Sequence, residues 1–365
     1  MDHRMRRDAL AARLPELAVD AFLVTGLSNV RYLSGFSGSN AQALITSGEC
    51  VFMTDGRYTE QARHEVLDMR RVTYLGAFTD ALSDQISSVA ATRVGFEAHH
   101  VSVRAHRDLT QKLAESTATP RGAVELLPLD GEVERLRWEK DGEELDHLRR
   151  AQAITDQAFD DLLDLLAVGM IERAVAHQLE ELLRREGADG LSFDSIVAFG
   201  EHAAEPHHEP GHRMLEEGDV IVLDFGALHG GYHADMTRTI SFGEPPAELR
   251  KVHDIVRQAQ QAGIDAVGPG VTGAEVDRAA RSVIEDAGYG DRFSHGLGHG
   301  VGLDIHEGPR LGRDHEDVLP IGAVVTVEPG VYIPGLGGVR IEDMVEVVED
   351  GGRVLGSANR DLIEL

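Results

Sequence analysis

The chain has a single cysteine, Cys50, among 365 residues. One thiol excludes an intrachain disulfide framework and a thiolate metal cluster, and it fits a reducing compartment. It lies in Ile45-Thr46-Ser47-Gly48-Glu49-Cys50-Val51-Phe52, which reads as strand, turn, strand, so a structural thiol is expected rather than a nucleophile. Positive charge is also scarce: 35 Lys and Arg stand against 63 Asp and Glu, a formal net charge of -28. Such a surface repels phosphate backbones and anionic membranes, so neither nucleic acid nor a membrane is an expected partner. No run approaches the ~20 apolar residues that a bilayer span requires. Arg4, Arg6 and Arg7 open the chain, but Arg13, Glu16 and Asp20 interrupt the apolar stretch of a secretory signal, which points to the cytoplasm.

What the chain does have is apolar content of 42%, ordinary for a packed core. Its length suits two domains, since single cores stop growing near ~250 to 300 residues. Residues 1–130 alternate helical patterns with short β-rich runs such as Ala21-Phe22-Leu23-Val24 and Ala43-Leu44-Ile45, the mark of an α/β domain. A second domain is expected over 131–365. It opens on a charged helix from about Glu132 to Leu166, read as the connector between the domains, with Leu136, Leu145, Leu148, Ala151 and Ile154 at roughly helical spacing. Another helix, Glu172 to Glu186, stops at Gly187. Beyond it, β-rich runs with glycine turns fill 191–242 and 322–349, and helical patterns fill 246–267 and 273–287. That segregation predicts an α+β domain with an antiparallel sheet.

The most informative segment, Val220 to Thr237, reads as a hairpin with His229 and Gly230 at its turn. That register sets Asp224 directly opposite Asp235, with Cβ atoms about 4.5 to 5.5 Å apart, where like charges destabilise unless a cation neutralises them. The pattern recurs: Val325 to Gly330 and Gly338 to Met344 flank a Pro-Gly-Leu-Gly-Gly turn, and a register centred on Gly335 sets Glu328 opposite Glu342. A lone acidic strand residue ordinarily faces solvent. Two opposed pairs in apolar strands point instead to a metal site. Between the hairpins, His295, His299 and His306 sit among glycines that allow close backbone approach, and any of the three would complete a donor set. Four carboxylates and an imidazole suit Mn²⁺, Co²⁺ or Zn²⁺, and bridging carboxylates imply two ions ~3.5 to 4 Å apart. The lack of cysteine ligands argues against structural zinc. Arg340, two residues before Glu342, shares its strand face and is placed to orient the carboxylates.

The segments LDFG around Asp224, HADMTRT around Asp235, HGLGHGVGLDIHE around His299, TVEPG around Glu328 and RIED around Glu342 together resemble the pita-bread metallopeptidase family, which includes methionine aminopeptidase, aminopeptidase P and prolidase. The resemblance implies a pita-bread catalytic domain over 131–365. It also implies the metal ligands Asp224, Asp235, His299, Glu328 and Glu342, with Asp235 and Glu342 bridging two divalent ions, manganese first among the candidates. It is the resemblance, not the spacing, that singles out His299. Asn29 to Asn40 and Thr54 to Tyr58 resemble the Xaa-Pro branch, whose members carry an added creatinase-like N-terminal domain, here 1–130. The implied activity is hydrolysis of the Xaa-Pro bond in a dipeptide or at the N-terminus of a longer proline-containing peptide, by a homodimer. Glu328 would shuttle the proton to the departing nitrogen. His295 and His306 would hydrogen-bond the substrate or the oxyanion, and His207 matches the family's histidine ahead of the first ligand. His208, His229 and His233 are expected to be structural or on the surface. The same fold hosts metal-free creatinase and metal-free peptide-binding domains, against which the filled ligand set argues. Another metal-dependent amidohydrolase remains the rival reading, and the choice between dipeptides and longer peptides stays open.

Overall fold

The computed structural model describes residues 1–115 and 123–365, and the chain forms two compact units, Met1–Arg137 and Trp138–Leu365. The first is built on a six-stranded mixed sheet. Its central strand Ala21–Val24 is buried throughout, pairing antiparallel with Gln42–Thr46 and parallel with Arg93–Glu97. Cys50–Asp55 and Arg70–Tyr74 extend one side, and Glu125–Leu129 closes the other. Cys50 is half-buried at the start of its strand, and burial pushes its thiol up, the opposite of an activated nucleophile. Residues 131–137 belong with this unit because Arg137 Nη1 donates to Asn29 Oδ1 at 2.7 Å and Asn29 Nδ2 donates to Glu134 Oε1 at 2.6 Å.

The helix expected over Glu132 to Leu166 is shorter and does not connect the units: it runs Gly142–Leu163, wholly inside the second. Its start is fixed by a capping box, in which Asp141 accepts from Glu144 N and Glu144 from Asp141 N, both at 3.0 Å. Upstream, Glu134–Arg137 form a separate 3₁₀ turn. Leu148, Ala151, Ile154, Ala158, Phe159 and Leu162 make the helix's buried stripe, in which each of the larger apolar side chains is worth ~1.5 to 3 kcal/mol. It packs with Glu172–Arg185 on a sheet of Ile196–Phe199, Val220–Phe225 and Met236–Ser241. A second helix pair, Ala247–Ala266 and Gly273–Asp286, covers a five-stranded sheet that includes Gly298–Gly300, Val324–Val327 and Asp343–Val348. The strand pairings in this unit are antiparallel among the described residues, as the segregated pattern predicts. The two halves echo each other: a lone bridge, Ile171 to Met214 or Thr272 to Val318, precedes the second helix of each.

The first acidic hairpin turns one residue later than expected. Gly230 and Gly231 have φ of 61° and 84°, as a two-residue type I′ turn requires of both its central positions, so the turn centres on them and not on His229 and Gly230. His229 pairs with Tyr232, and the strands beyond set Thr237, not Asp235, opposite Asp224. Asp235 is displaced by two positions. Because side chains alternate with a period of two, that displacement keeps both carboxylates on one face. The second hairpin has the expected register: Gly330 pairs with Arg340 and Val327 with Asp343, which brings Glu328 level with Glu342.

Candidate metal centre

A cavity of ≈ 470 Å³ opens in the second unit, and Asp224, Asp235, His299, Glu328 and Glu342 line it together with His207, His295, His306 and Arg340. The acidic residues come from strand ends. Asp224 lies near the end of an apolar strand of one half, while Glu328 and Glu342 occupy the breaks between paired strands of the other. The histidine segment reaches them because its glycines lack side chains: a Cβ on Gly298 would stand 2.1 Å from Thr326 O, and one on Gly300 2.1 Å from Gly308 O.

The donor atoms converge. One atom each from Asp235, His299 and Glu342 lie within 4.8 Å of one another. His299 turns Nδ1 to Gly300 O at 3.0 Å, leaving Nε2 at 3.5 Å from Asp235 Oδ2 and 3.6 Å from Glu328 Oε1. Since a carbonyl only accepts, Nδ1 carries the proton and the lone pair of Nε2 faces the carboxylates. Burial lowers this imidazole to about 4, so it is neutral, the form that ligates. Of the three candidate histidines, His299 is therefore the one whose geometry suits a ligand.

Each of two carboxylates has one oxygen fixed by the protein and one without a partner. Asp224 Oδ2 accepts from Arg340 Nη2 at 2.6 Å, and Glu342 Oε2 accepts from Thr237 Oγ1 at 2.7 Å, whereas buried Asp224 Oδ1 and Glu342 Oε1 have no hydrogen-bond donor. Buried acceptors are rarely left so. Burial, and then the charges of Asp224 and Glu328, push Asp235 far above the carboxylate range; burial, Asp235, Glu328 and Asp224 do the same to Glu342. Burial raises Glu328 to about 8. The donor set thus fits divalent cations, which would take the unpartnered oxygens and relieve the repulsion.

Arg340 is the hub of the surrounding bonds. Besides Asp224, its guanidinium reaches Thr237 Oγ1 at 3.0 Å, Tyr332 OH at 2.9 Å and Pro206 O at 3.2 Å. Tyr332 in turn lies 2.9 Å from His295 Nε2, while His295 Nδ1 faces Gly296 O at 2.8 Å. His295 is held near 4 by burial and by Arg340, so it is neutral, donates to Gly296 and accepts from Tyr332. Neither ring nitrogen is free, which differs from the direct substrate contact expected of it. Behind it, Arg281 donates to His295 O at 2.7 Å and Asp277 accepts from Leu297 N at 3.1 Å, pinning the segment to a helix. His207 and His306 are exposed on the cavity wall.

Sequence reasoning passes over Tyr332, Thr237, Arg310 and the apolar wall of Phe193, Ile196 and Ile305. Only Tyr332 carries a usable signal, lying four residues past Glu328 on the acidic hairpin. His208, His229 and His233 bond to Glu172, His147 and Ser192 respectively.

An antiparallel α+β unit that gathers four carboxylates and an imidazole at one cavity defines a metal-dependent hydrolase. The chain belongs to metallopeptidase family M24, whose model matches residues 146–349, and the Creatinase/Prolidase N-terminal domain model matches residues 6–138. It is 34% identical over 360 residues to the Xaa-Pro dipeptidase of Pyrococcus furiosus, covering 98% of this chain and 99% of that protein. Among solved structures it resembles the Xaa-Pro dipeptidase from Bacillus anthracis, with a TM-score of 0.95 at 36% identity and 100% of both chains covered. It also resembles the X-Pro aminopeptidase from Thermotoga maritima MSB8, with a TM-score of 0.89 at 35% identity, covering 98% of this chain and 99% of that one.

Proposed function

We propose that this chain hydrolyses the Xaa-Pro bond of short peptides and that Asp224, Asp235, His299, Glu328 and Glu342 would hold the two divalent ions the reaction uses. The observation that carries the reading is the pair of buried oxygens, Asp224 Oδ1 and Glu342 Oε1, that have no hydrogen-bond donor beside a neutral His299. Bound ions would supply an acidified water and neutralise charge on the scissile carbonyl. Glu328 takes the proton of the attacking water and passes it to the departing proline nitrogen, which carries no hydrogen while the bond is intact. Its hydrogen-bond partner Thr326 Oγ1, at 3.3 Å, keeps it oriented. His207 and His306, on the exposed wall, hydrogen-bond the substrate carbonyl as it becomes an oxyanion.

His295 acts one step back, its Nε2 holding the hydroxyl of Tyr332 beside Arg340. Arg340 keeps Asp224 aimed directly and Glu342 aimed through Thr237. The apolar wall of Phe193, Ile196 and Ile305 suits a pyrrolidine ring. Manganese as the ion, a cytoplasmic location and a homodimer complete the proposal; they rest on the donor chemistry, the composition and the family resemblance.

The test is product analysis after manganese loading, with an Xaa-Pro dipeptide, an Xaa-Pro-Xaa tripeptide and an Xaa-Ala control. Cleavage of the tripeptide before proline makes the enzyme an aminopeptidase, and cleavage of the dipeptide alone makes it a dipeptidase. If metal binds and neither proline substrate is cut, another amidohydrolase chemistry on this scaffold takes its place.

A further inference from the structure

The carboxylate of Glu172, at the start of helix Glu172–Arg185, is fully buried and takes four donors from a strand end and the loop that follows it. Oε1 accepts from Phe199 N at 3.0 Å and His202 Nδ1 at 2.8 Å. Oε2 accepts from Gly211 N and His208 Nε2, both at 3.0 Å. Those donors span the two ends and the middle of the segment that carries His207 into the cavity. On the other side of His207, Pro206 O is held by Arg340 Nη1.

We infer that Glu172 is a positioning residue that sets His207 against the substrate, a role that rests on the reading of His207 as a substrate-contacting group. His207 stands exposed on the cavity wall, and loops without anchors are mobile. Its two neighbours supply the anchors: Pro206 through Arg340, and His208 through Glu172. His208 also turns Nδ1 to Glu205 Oε2 at 2.8 Å, so both ring nitrogens face carboxylates and both donate, which makes the ring an imidazolium. Burial works against that charge, yet the bonds to Glu205 and Glu172 outweigh it and raise His208. Burial likewise opposes ionisation of Glu172, and the four donors together hold it below the usual range. A buried anion bonded to two amides and two imidazoles is stiff, and stiffness is what a group on a loop needs to meet a reacting carbonyl.

The test is a double-mutant cycle on the metal-loaded enzyme with an Xaa-Pro dipeptide and an Xaa-Pro-Xaa tripeptide, reading kcat, KM and metal content for the wild type, Glu172→Gln, His207→Ala and the double variant. Glu172→Gln is expected to lower kcat by ~10- to 10²-fold, the scale of a misplaced catalytic contact. KM and metal content stay near those of the wild type, and no further loss follows in the His207→Ala background. An equal loss in both backgrounds overturns the inference in favour of general support of the fold. Loss of a metal equivalent in Glu172→Gln overturns it in favour of a cation site at Glu172, His202 and His208. If His207→Ala keeps full kcat, it is the role of His207 that fails; if the wild type turns nothing over, it is the proposed activity. Should Glu172→Gln not fold, His208→Ala carries the same cycle, since it leaves Glu172 its two backbone amides.

Discussion

Arg340 Nη2 lies 2.6 Å from Asp224 Oδ2, and both side chains are buried. The same guanidinium bonds Thr237, whose hydroxyl donates to Glu342. One cation therefore aims two carboxylates, one directly and one through a hydroxyl, and leaves the other oxygen of each without a hydrogen-bond donor. Replacing it by an apolar residue of similar length, Arg340→Met, leaves a buried carboxylate without its partner. The metal-free protein should lose ~3 to 5 kcal/mol in urea unfolding, and the metal-loaded protein less. Arg340→Lys keeps the charge and loses the fork, so kcat should fall more than stability.

Asp224→Asn preserves shape and removes the charge. Metal affinity, measured by elemental analysis after dialysis, should fall by more than the ~10- to 100-fold typical of groups that only orient ligands, and activity should fall with it. Full occupancy and full turnover in the Asp224→Asn variant would remove Asp224 from the ligand set.

The metal-free protein should be destabilised by alkali. Glu328 is raised to about 8 in the folded state, chiefly by burial, and Asp235 and Glu342 are raised as well. A raised folded-state value means that these groups favour the fold while protonated: the stability is complete below the unfolded carboxylate range and is lost as pH climbs through the folded values. Melting temperatures recorded with chelator from about pH 5 to about pH 9 should therefore fall. With metal the trend reverses, because the cation displaces those protons and binds more tightly as pH rises. Parallel curves with and without metal would contradict the assignment.

Arg310 lines the cavity, and after burial its charge is the next influence that lowers His306. A cation there is placed to meet a free carboxylate. Arg310→Ala should raise KM for an Xaa-Pro dipeptide by about 10-fold, the worth of a charged hydrogen bond, and leave KM for a C-terminally amidated substrate nearly unchanged. An equal change for both substrates would assign Arg310 to structure alone.

The site is legible in the sequence where chemistry contradicts environment: Asp224, Glu328 and Glu342 are charges beside runs of apolar strand residues. The register of the second hairpin is legible as well, since Gly335 marks its centre. The first is ambiguous because His229-Gly230 and Gly230-Gly231 both qualify as turns, and only the second pair lets both central residues adopt positive φ without strain. The true start of the helix Gly142–Leu163 is written in Asp141 and Glu144, but the charges from Glu132 onward mimic a helical surface and hide it. Tyr332 and Glu172 look like an ordinary strand tyrosine and an ordinary first-turn acid. Their partners, Arg340 and His208 among them, are brought to them only by the fold.

The seam between the halves of the catalytic unit is stitched by Glu342 N on Thr237 O at 3.1 Å and by Arg238 Nη1 on Glu342 O at 2.6 Å. Asp224 and Asp235 lie on one side of it, and His299, Glu328 and Glu342 on the other. Neither side owns a complete coordination sphere, and each alone is a patch of mutual repulsion. A cation bound there would in that sense be a fastener. In a chain cut between the sheet strand ending at Ser241 and the helix beginning at Ala247, a divalent ion would tighten the rejoining of the two fragments, adding to the apolar contact of Leu249 with Val220 and Val222 and to the Arg340–Asp224 pair.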